Sequence, residues 1–321
     1  MSNIWTSIHS HLSQDIAVML LIVFDSQGSS PGRQGFMMAV AENGKFEGSI
    51  GGGIMEIKLV EKAKSLLKKG INKPELIFQY HDKEHAVNQS GMICSGHQVN
   101  AFVPLNSNHI ELTNEIALNK IKSFTINPEG ISKAVDKEYG FRFENEQEWT
   151  FTQTIESKSV IHIIGGGHVG LALSEAMHFL GFYVIIYDDR ENLQTIEKNK
   201  FADKINILPT YDLIGDYLKH SEDEYVAIMT VGYRSDKQVV KKLLDHQYKY
   251  LGLLGSKAKI KAFLDELESE GIAKEKIDKL NTPIGININS KTPQEIAISI
   301  AAEIILEKNK SFPSARGAGS Y

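Results

Sequence analysis

The stretch that most constrains this chain is Gly165-Gly-Gly-His-Val-Gly170, because of what stands on either side of it. Val160–Ile164 before it is a short β-branched apolar run, and His168–Leu180 after it has helical spacing and is stopped by Gly181. Glycine at these spacings meets three needs: a tight turn at Gly165, approach of the backbone to a pyrophosphate at Gly167, and packing of helix on strand at Gly170. The phosphate would sit on the free N–H groups of the helix start. Asp188 ends the next strand, where a carboxylate can accept hydrogen bonds from ribose hydroxyls. Arg190 could instead meet a 2′-phosphate, so NAD and NADP both stay open. His168, inside the loop, lines or caps the pocket more readily than it acts as a base. The bland alternative is a domain that has kept this loop and lost its ligand.

The alternation continues beyond the loop. Strands are expected at Tyr183–Tyr187, Lys204–Leu208, Tyr225–Thr230 and Tyr250–Leu254, with helices at Asp212–Lys219, Asp236–Gln247 and from Ser256 to Glu270. Strands and helices alternating in this way form a parallel sheet covered on both faces. From about Ser159 to Leu306 the chain therefore reads as a doubly wound α/β domain of the Rossmann type. Thr292, Pro293 and Glu295 give its last helix a capping box with proline at the first position. The body of that helix, Ile296–Ile305, is apolar nearly all round, which predicts burial in the core or at a homodimer interface.

Residues 1–157 read differently, as an N-terminal mixed α/β domain. A short helix is expected at Ile4–Leu12 and a buried strand at Ala17–Phe24, followed by the turn-rich Ser26–Gly35. Phe36–Val40 and Lys45–Ile50 form a hairpin around Asn43-Gly44. Gly51, Gly52 and Gly53 open a helix that runs to about Lys69, with strands near 76–80 and 98–103. Asn106–Ser157 turns polar and is read as closing strands plus a linker, and 158–321 as the second domain with a disordered tail from Lys308.

At 321 residues, 42% hydrophobic and 23% charged, the chain is long enough for two cores. A formal charge of −5 offers nothing to nucleic acid. The longest apolar run, Ala17–Phe24, is far short of a membrane span, and residues 1–16 lack a secretory pattern, so a cytoplasmic protein is expected. Cys94 is the only cysteine, which excludes an intrachain disulfide.

Other candidate site residues lie outside the first glycine loop. In Gly48-Ser-Ile-Gly-Gly-Gly53, exposed N–H groups ahead of a helix bearing Glu56 could hold an anion, or the glycines could only make a tight connection. Cys94, in Ser90–His97, could ligate a soft metal such as molybdenum or carry sulfur, although a lone cysteine is more often an inert small hydrophobe. His81, His85, Cys94 and His97 match no closed zinc pattern. Arg234 and Asp236 follow the fourth strand of the second domain, at the sheet edge where ligands bind, although Asp236 could simply cap a helix. Ser256 is a candidate cap and Lys257 a candidate anion contact after the next strand. No residue is singled out as catalytic.

Taken in order, these blocks resemble the XdhC/CoxI family of accessory factors for xanthine dehydrogenase and related molybdenum hydroxylases. The blocks are Gly28-Ser-Ser-Pro31 with Gly35 and Met38, Gly48–Gly53 with Glu56, Gly91-Met-Ile-Cys94, Gly165–Gly170, Asp188-Asp-Arg190, Met229-Thr230 with Asp236, Tyr250–Ser256, Pro283-Ile-Gly285, Thr292–Ala297 and Ala301-Ala-Glu303. The resemblance implies a non-catalytic maturation factor that binds molybdenum cofactor (molybdopterin) during sulfuration and insertion. Its implied partners are an apo xanthine dehydrogenase-type enzyme and a cysteine desulfurase-type sulfur donor. It further implies that Cys94 contacts cofactor or sulfur, that Gly51–Gly53 with Glu56 line an N-terminal site, and that the 165–170 loop with Asp188 forms a second. The chain departs from many relatives at Ser95, where glycine is common, at Val231, where histidine is, and at Lys257, where arginine is. Gly32-Arg33 also shifts an arginine often found directly after the Ser-Pro pair. A cleft between the 48–56 loop and the carboxyl edge of the second sheet is the expected binding place. An NAD(P)-dependent oxidoreductase or an NAD(H)-sensing module is the alternative. The oxidoreductase lacks a Tyr-x-x-x-Lys or His/Asp pair placed to move a hydride and a proton.

Overall fold

The computed structural model describes residues 4–28, 30–80, 96–135, 139–155, 158–219 and 221–310. The chain divides into two units, the first ending at Ser157 and the second beginning at Lys158.

The first unit runs α1 (Ile4–Leu12), β1 (Val18–Gly28), β2 (Met37–Ala41), β3 (Phe46–Gly48), α2 (Gly53–Lys68), β4 (Glu75–Tyr80), β5 (Gly96–Leu105), α3 (Ile110–Ala117), β6 (Ser123–Asn127), β7 (Gly130–Lys133), β8 (Gly140–Asn145) and β9 (Glu148–Thr154). β1 is central in a five-stranded antiparallel sheet of order β3-β2-β1-β5-β4. That position explains its unbroken apolar run, since both of its faces are covered. Met19, Leu21 and Val23 pack against α2, whereas Leu20, Ile22 and Phe24 join the core formed with α1 and β6–β9.

The polar stretch read as closing strands and a linker is a second sheet, of order β7-β6-β9-β8. β6 alternates between half-buried and buried residues, sending Phe124 and Ile126 inward, and Phe24 stacks on Phe151 of β9 at 4.2 Å. One-sided burial puts polar residues at every second position, and these dilute the apolar signal of the strands.

The second unit runs β10 (Val160–Ile164), α4 (His168–Phe179), β11 (Tyr183–Asp188), α5 (Gln194–Glu197), β12 (Lys204–Ile207), α6 (Ile214–Tyr217), β13 (Ser221–Ile228), α7 (Tyr233–Leu243), β14 (Tyr248–Leu253), α8 (Lys257–Ser269), α9 (Lys274–Ile277) and α10 (Pro293–Asn309). Its five strands are parallel, in the order β12-β11-β10-β13-β14, so the strand order reverses between β10 and β13. Ile161 and Ile163 face α4 and α10, and Ile164 faces α7 and α8.

The capping box of α10 forms as its sequence demands, with the Thr292 hydroxyl accepting the Glu295 N–H and Glu295 accepting the Thr292 N–H. The helix lies on α4 along one face only, and Ile298 and Leu306 remain exposed. The Glu303 carboxylate accepts the Tyr250 hydroxyl and the Gly285 N–H, which ties α10 to β14 and to the loop ahead of the helix. This contact gives the Pro283–Gly285 and Ala301–Glu303 blocks a structural role. Among the described residues, no helix is long and apolar enough to cross a membrane.

His162 is buried on β10, with Nε2 3.0 Å from a Glu224 carboxylate oxygen and Nδ1 3.1 Å from the Tyr187 hydroxyl. Burial holds the imidazole below its ordinary value, against the pull of Glu224. Below about pH 6.5 the unfolded chain takes up a proton that the folded chain resists, so His162 lowers stability as pH falls through that range. Urea midpoints at neutral and mildly acidic pH should differ less in His162→Gln than in the parent chain. An equal difference in both would exclude His162 as the source.

Candidate functional site

In the second unit the glycine loop sits at the switch point where ligands of open α/β sheets bind. Gly165 has φ +118°, and a Cβ there would stand 2.3 Å from the Met229 carbonyl oxygen. A Cβ on Gly170 would stand 2.1 Å from the Gly165 oxygen, so the start of α4 presses directly on the loop. Gly166 is roofed by Ile196 of α5, and its carbonyl accepts the Thr195 hydroxyl at 2.5 Å. Gly167 differs from all three, since a Cβ there would meet nothing within 4 Å. It starts α4 without any side-chain cap, which leaves the first-turn N–H groups to an outside acceptor. His168, the first residue of α4, is exposed.

Asp188 is fully buried at the end of β11 and is already engaged. One oxygen accepts the Arg190 N–H at 3.0 Å and Nε at 2.8 Å; the other accepts Arg190 Nη2 and the Gly166 N–H, both at 2.7 Å. Burial alone would raise this carboxyl, but the hydrogen bonds from Arg190 and Gly166 outweigh it and hold the group below the usual range. Asp188 thus pins the glycine loop to Arg190.

Beyond β13, Asp236 is buried one turn inside α7, which begins at Tyr233 and not at Asp236. It accepts the Thr230 N–H and hydroxyl at 3.1 and 2.6 Å, and Lys259 Nζ at 2.6 Å. It therefore braces the 229–232 loop from within the helix and does not serve as its first cap. The sequence points to Lys257, which is exposed, and not to Lys259; helical spacing from the cap is the signal that could have found it. Ser256 caps α8 through the Lys259 N–H, and Arg234 is exposed.

In the first unit, register brings several loops to one end of the sheet. Gly28 pairs with Gly96, His97 with Tyr80, and Gly48 with Met38, so β1, β3 and β4 end there. Gly51 has φ +131°, and a Cβ on it would stand 2.6 Å from the Gly32 nitrogen, which makes glycine necessary where the two loops touch. Beneath them is a buried row of amides. Gln98 accepts from the Ser30 hydroxyl and the Gly32 N–H and donates to the Ile50 carbonyl and to Asn100, which donates to Gln79.

The expected anion nest is filled by the protein itself. One Glu56 oxygen accepts the Ser49 hydroxyl at 2.7 Å and the Ile50 and Gly52 N–H groups at 2.9 and 3.0 Å. Burial favours protonation of Glu56, yet these bonds keep its carboxyl below the ordinary value. Gly52 and Gly53, both at positive φ, have open space around them. Cys94, His81 and His85 lie outside the described residues. His97 stands 3.6 Å from Asp25, and among the described residues no three metal-ligating side chains gather.

Fold and site together define a two-unit protein with a Rossmann-type glycine loop and a second, glycine-rich loop cluster. The models of two family segments match it: the XdhC and CoxI family at residues 11–81 and the XdhC Rossmann domain at residues 161–304. The chain belongs to the XdhC and CoxI family. It is 26% identical over 311 residues to the uncharacterized Escherichia coli K12 protein YqeB, covering 96% of this chain and 47% of that protein. It is 28% identical over 160 residues to a Bacillus subtilis protein named as a probable component of xanthine dehydrogenase, covering 50% of this chain and 46% of that one. The chain thus matches about half the length of these curated relatives. A Bacillus halodurans crystal structure described as a xanthine dehydrogenase shares the fold, with a TM-score of 0.77, 24% identity, and coverage of 99% of this chain and 98% of that one.

Proposed function

We propose that this protein is an accessory factor for a xanthine dehydrogenase-type molybdenum hydroxylase and that it holds molybdenum cofactor on the way to that enzyme. Family membership supports the target class. The observation that carries the ligand is the uncapped start of α4 beside open space at Gly167, which fits the terminal phosphate of molybdopterin. The N-terminal nest does not fit a phosphate, because Glu56 occupies its donors.

In this reading Gly167 and the first-turn N–H groups of α4 hold the phosphate, and Asp188 and Asp236 keep the two bordering loops in place. The cofactor supplies the molybdenum centre and its sulfido ligand to the target enzyme. Cys94 is the residue proposed to meet that centre or the sulfur delivered by a cysteine desulfurase-type donor. The protein needs no turnover chemistry of its own for this role.

The test is activation in vitro. Apo-dehydrogenase given sulfurated molybdenum cofactor should gain activity faster with this protein than without it. An equal rate would contradict the proposal. The same α4 start would also accept the pyrophosphate of NAD(P), and steady NADH oxidation with a small carbonyl compound would move the reading to an oxidoreductase.

A further inference from the structure

After β11, the carboxylate of Asp188 has no acceptor position left, while Arg190 has donors to spare. The carboxylate of Asp188 has four hydrogen-bonding positions, and the Arg190 N–H, Nε and Nη2 and the Gly166 N–H take them all. A ribose diol needs an acceptor, and none is left on Asp188. To free one, Arg190 would have to leave a carboxylate that is 0% exposed, uncovering a buried charge.

The donors are in surplus. Arg190 carries five N–H groups and spends two on Asp188, so three remain on a side chain that is 36% exposed. Beneath the turn, the Tyr211 hydroxyl is buried against the N–H of Asp189 and has no partner of hydrogen-bonding geometry among the described residues. Asp189 is exposed, and its charge acts on Arg190 from the solvent side. The guanidinium is held side-on, in a fixed orientation, and is tied through Gly166 to the loop that begins α4.

We propose that Arg190 forms a second anion subsite beside the glycine loop, so that this unit selects a nucleotide bearing a phosphate on its ribose over one with a free diol. The proposal rests on reading the 165–170 loop as a ligand site. A phosphate supplies acceptors for the three remaining Arg190 N–H groups, and a planar fork binds it in a way a point charge does not. Asp188 then acts as a positioning residue that aims Arg190, without touching the ligand.

The test is calorimetric titration of the full chain with 2′,5′-ADP and with 5′-AMP. The parent chain should bind 2′,5′-ADP about tenfold more tightly. Arg190→Lys should cut that preference to about threefold or less. Equal affinities, a preference for 5′-AMP, or a preference that survives Arg190→Lys would overturn the proposal, as would failure of both nucleotides to bind. If Arg190→Lys does not fold, the comparison of the two nucleotides on the parent chain decides alone. Molybdopterin retention is read separately. Retention without nucleotide preference overturns this subsite only, and preference without retention overturns only the cofactor reading.

Discussion

Gly170→Ala is expected to destabilise the second unit by about 1–3 kcal/mol or more, while Gly167→Ala, three residues earlier, leaves stability within about 0.5 kcal/mol of the parent. The contrast follows from what each new methyl group meets. At Gly170 it would lie 2.1 Å from a backbone oxygen of the loop, so helix and loop must part, and no side-chain rotation relieves the overlap. At Gly167 it meets nothing, and φ −69° with ψ −165° suits alanine. Only a ligand would notice the second change. Urea unfolding should therefore separate the two variants by stability, and anion binding should be lost in Gly167→Ala although it folds normally. Equal stability of the two variants would refute the close approach, and undiminished binding by Gly167→Ala would refute the open position as the phosphate seat.

Asp188 carries the other large effect. Replacement by alanine should cost about 2–4 kcal/mol, because it strips a buried N–H of Gly166 of its acceptor and releases Arg190, which can partly rehydrate. Asp188→Asn should cost nearly as much. An amide offers two donors where all four neighbours are donors, so one side of the carboxamide must face N–H groups that it cannot accept. Chemical unfolding of the two variants decides this. An asparagine variant within about 0.5 kcal/mol of the parent would show that the carboxylate does not brace the glycine loop.

The second unit was legible because its signals are local. The β10–loop–α4 junction needs glycine at fixed offsets, and the Thr292–Pro293–Glu295 cap of α10 is written within four residues. β6 and β7 were not legible, since a strand buried on one face only shows weak alternation over four or five residues. The loops were readable as places, less so in what fills them. Nothing in the spacing of Ser49–Gly53 and Glu56 shows that the carboxylate folds back onto its own loop, and nothing in Asp188-Asp-Arg190 shows that the arginine closes side-on over the aspartate. Both are choices among rotamers, settled by which donors the fold brings within 3 Å. Lys259 belongs to the same class, because its partner Asp236 is distant in sequence and joined to it only by the packing of α7 against α8.

The most direct measurement of the proposed cofactor role is gel filtration of the full chain with molybdopterin, followed by oxidation and pterin fluorescence of the protein peak. Pterin should travel with the folded protein, and Cys94→Ala run in parallel reports whether the thiol contributes. A folded parent chain that elutes free of pterin would contradict that role.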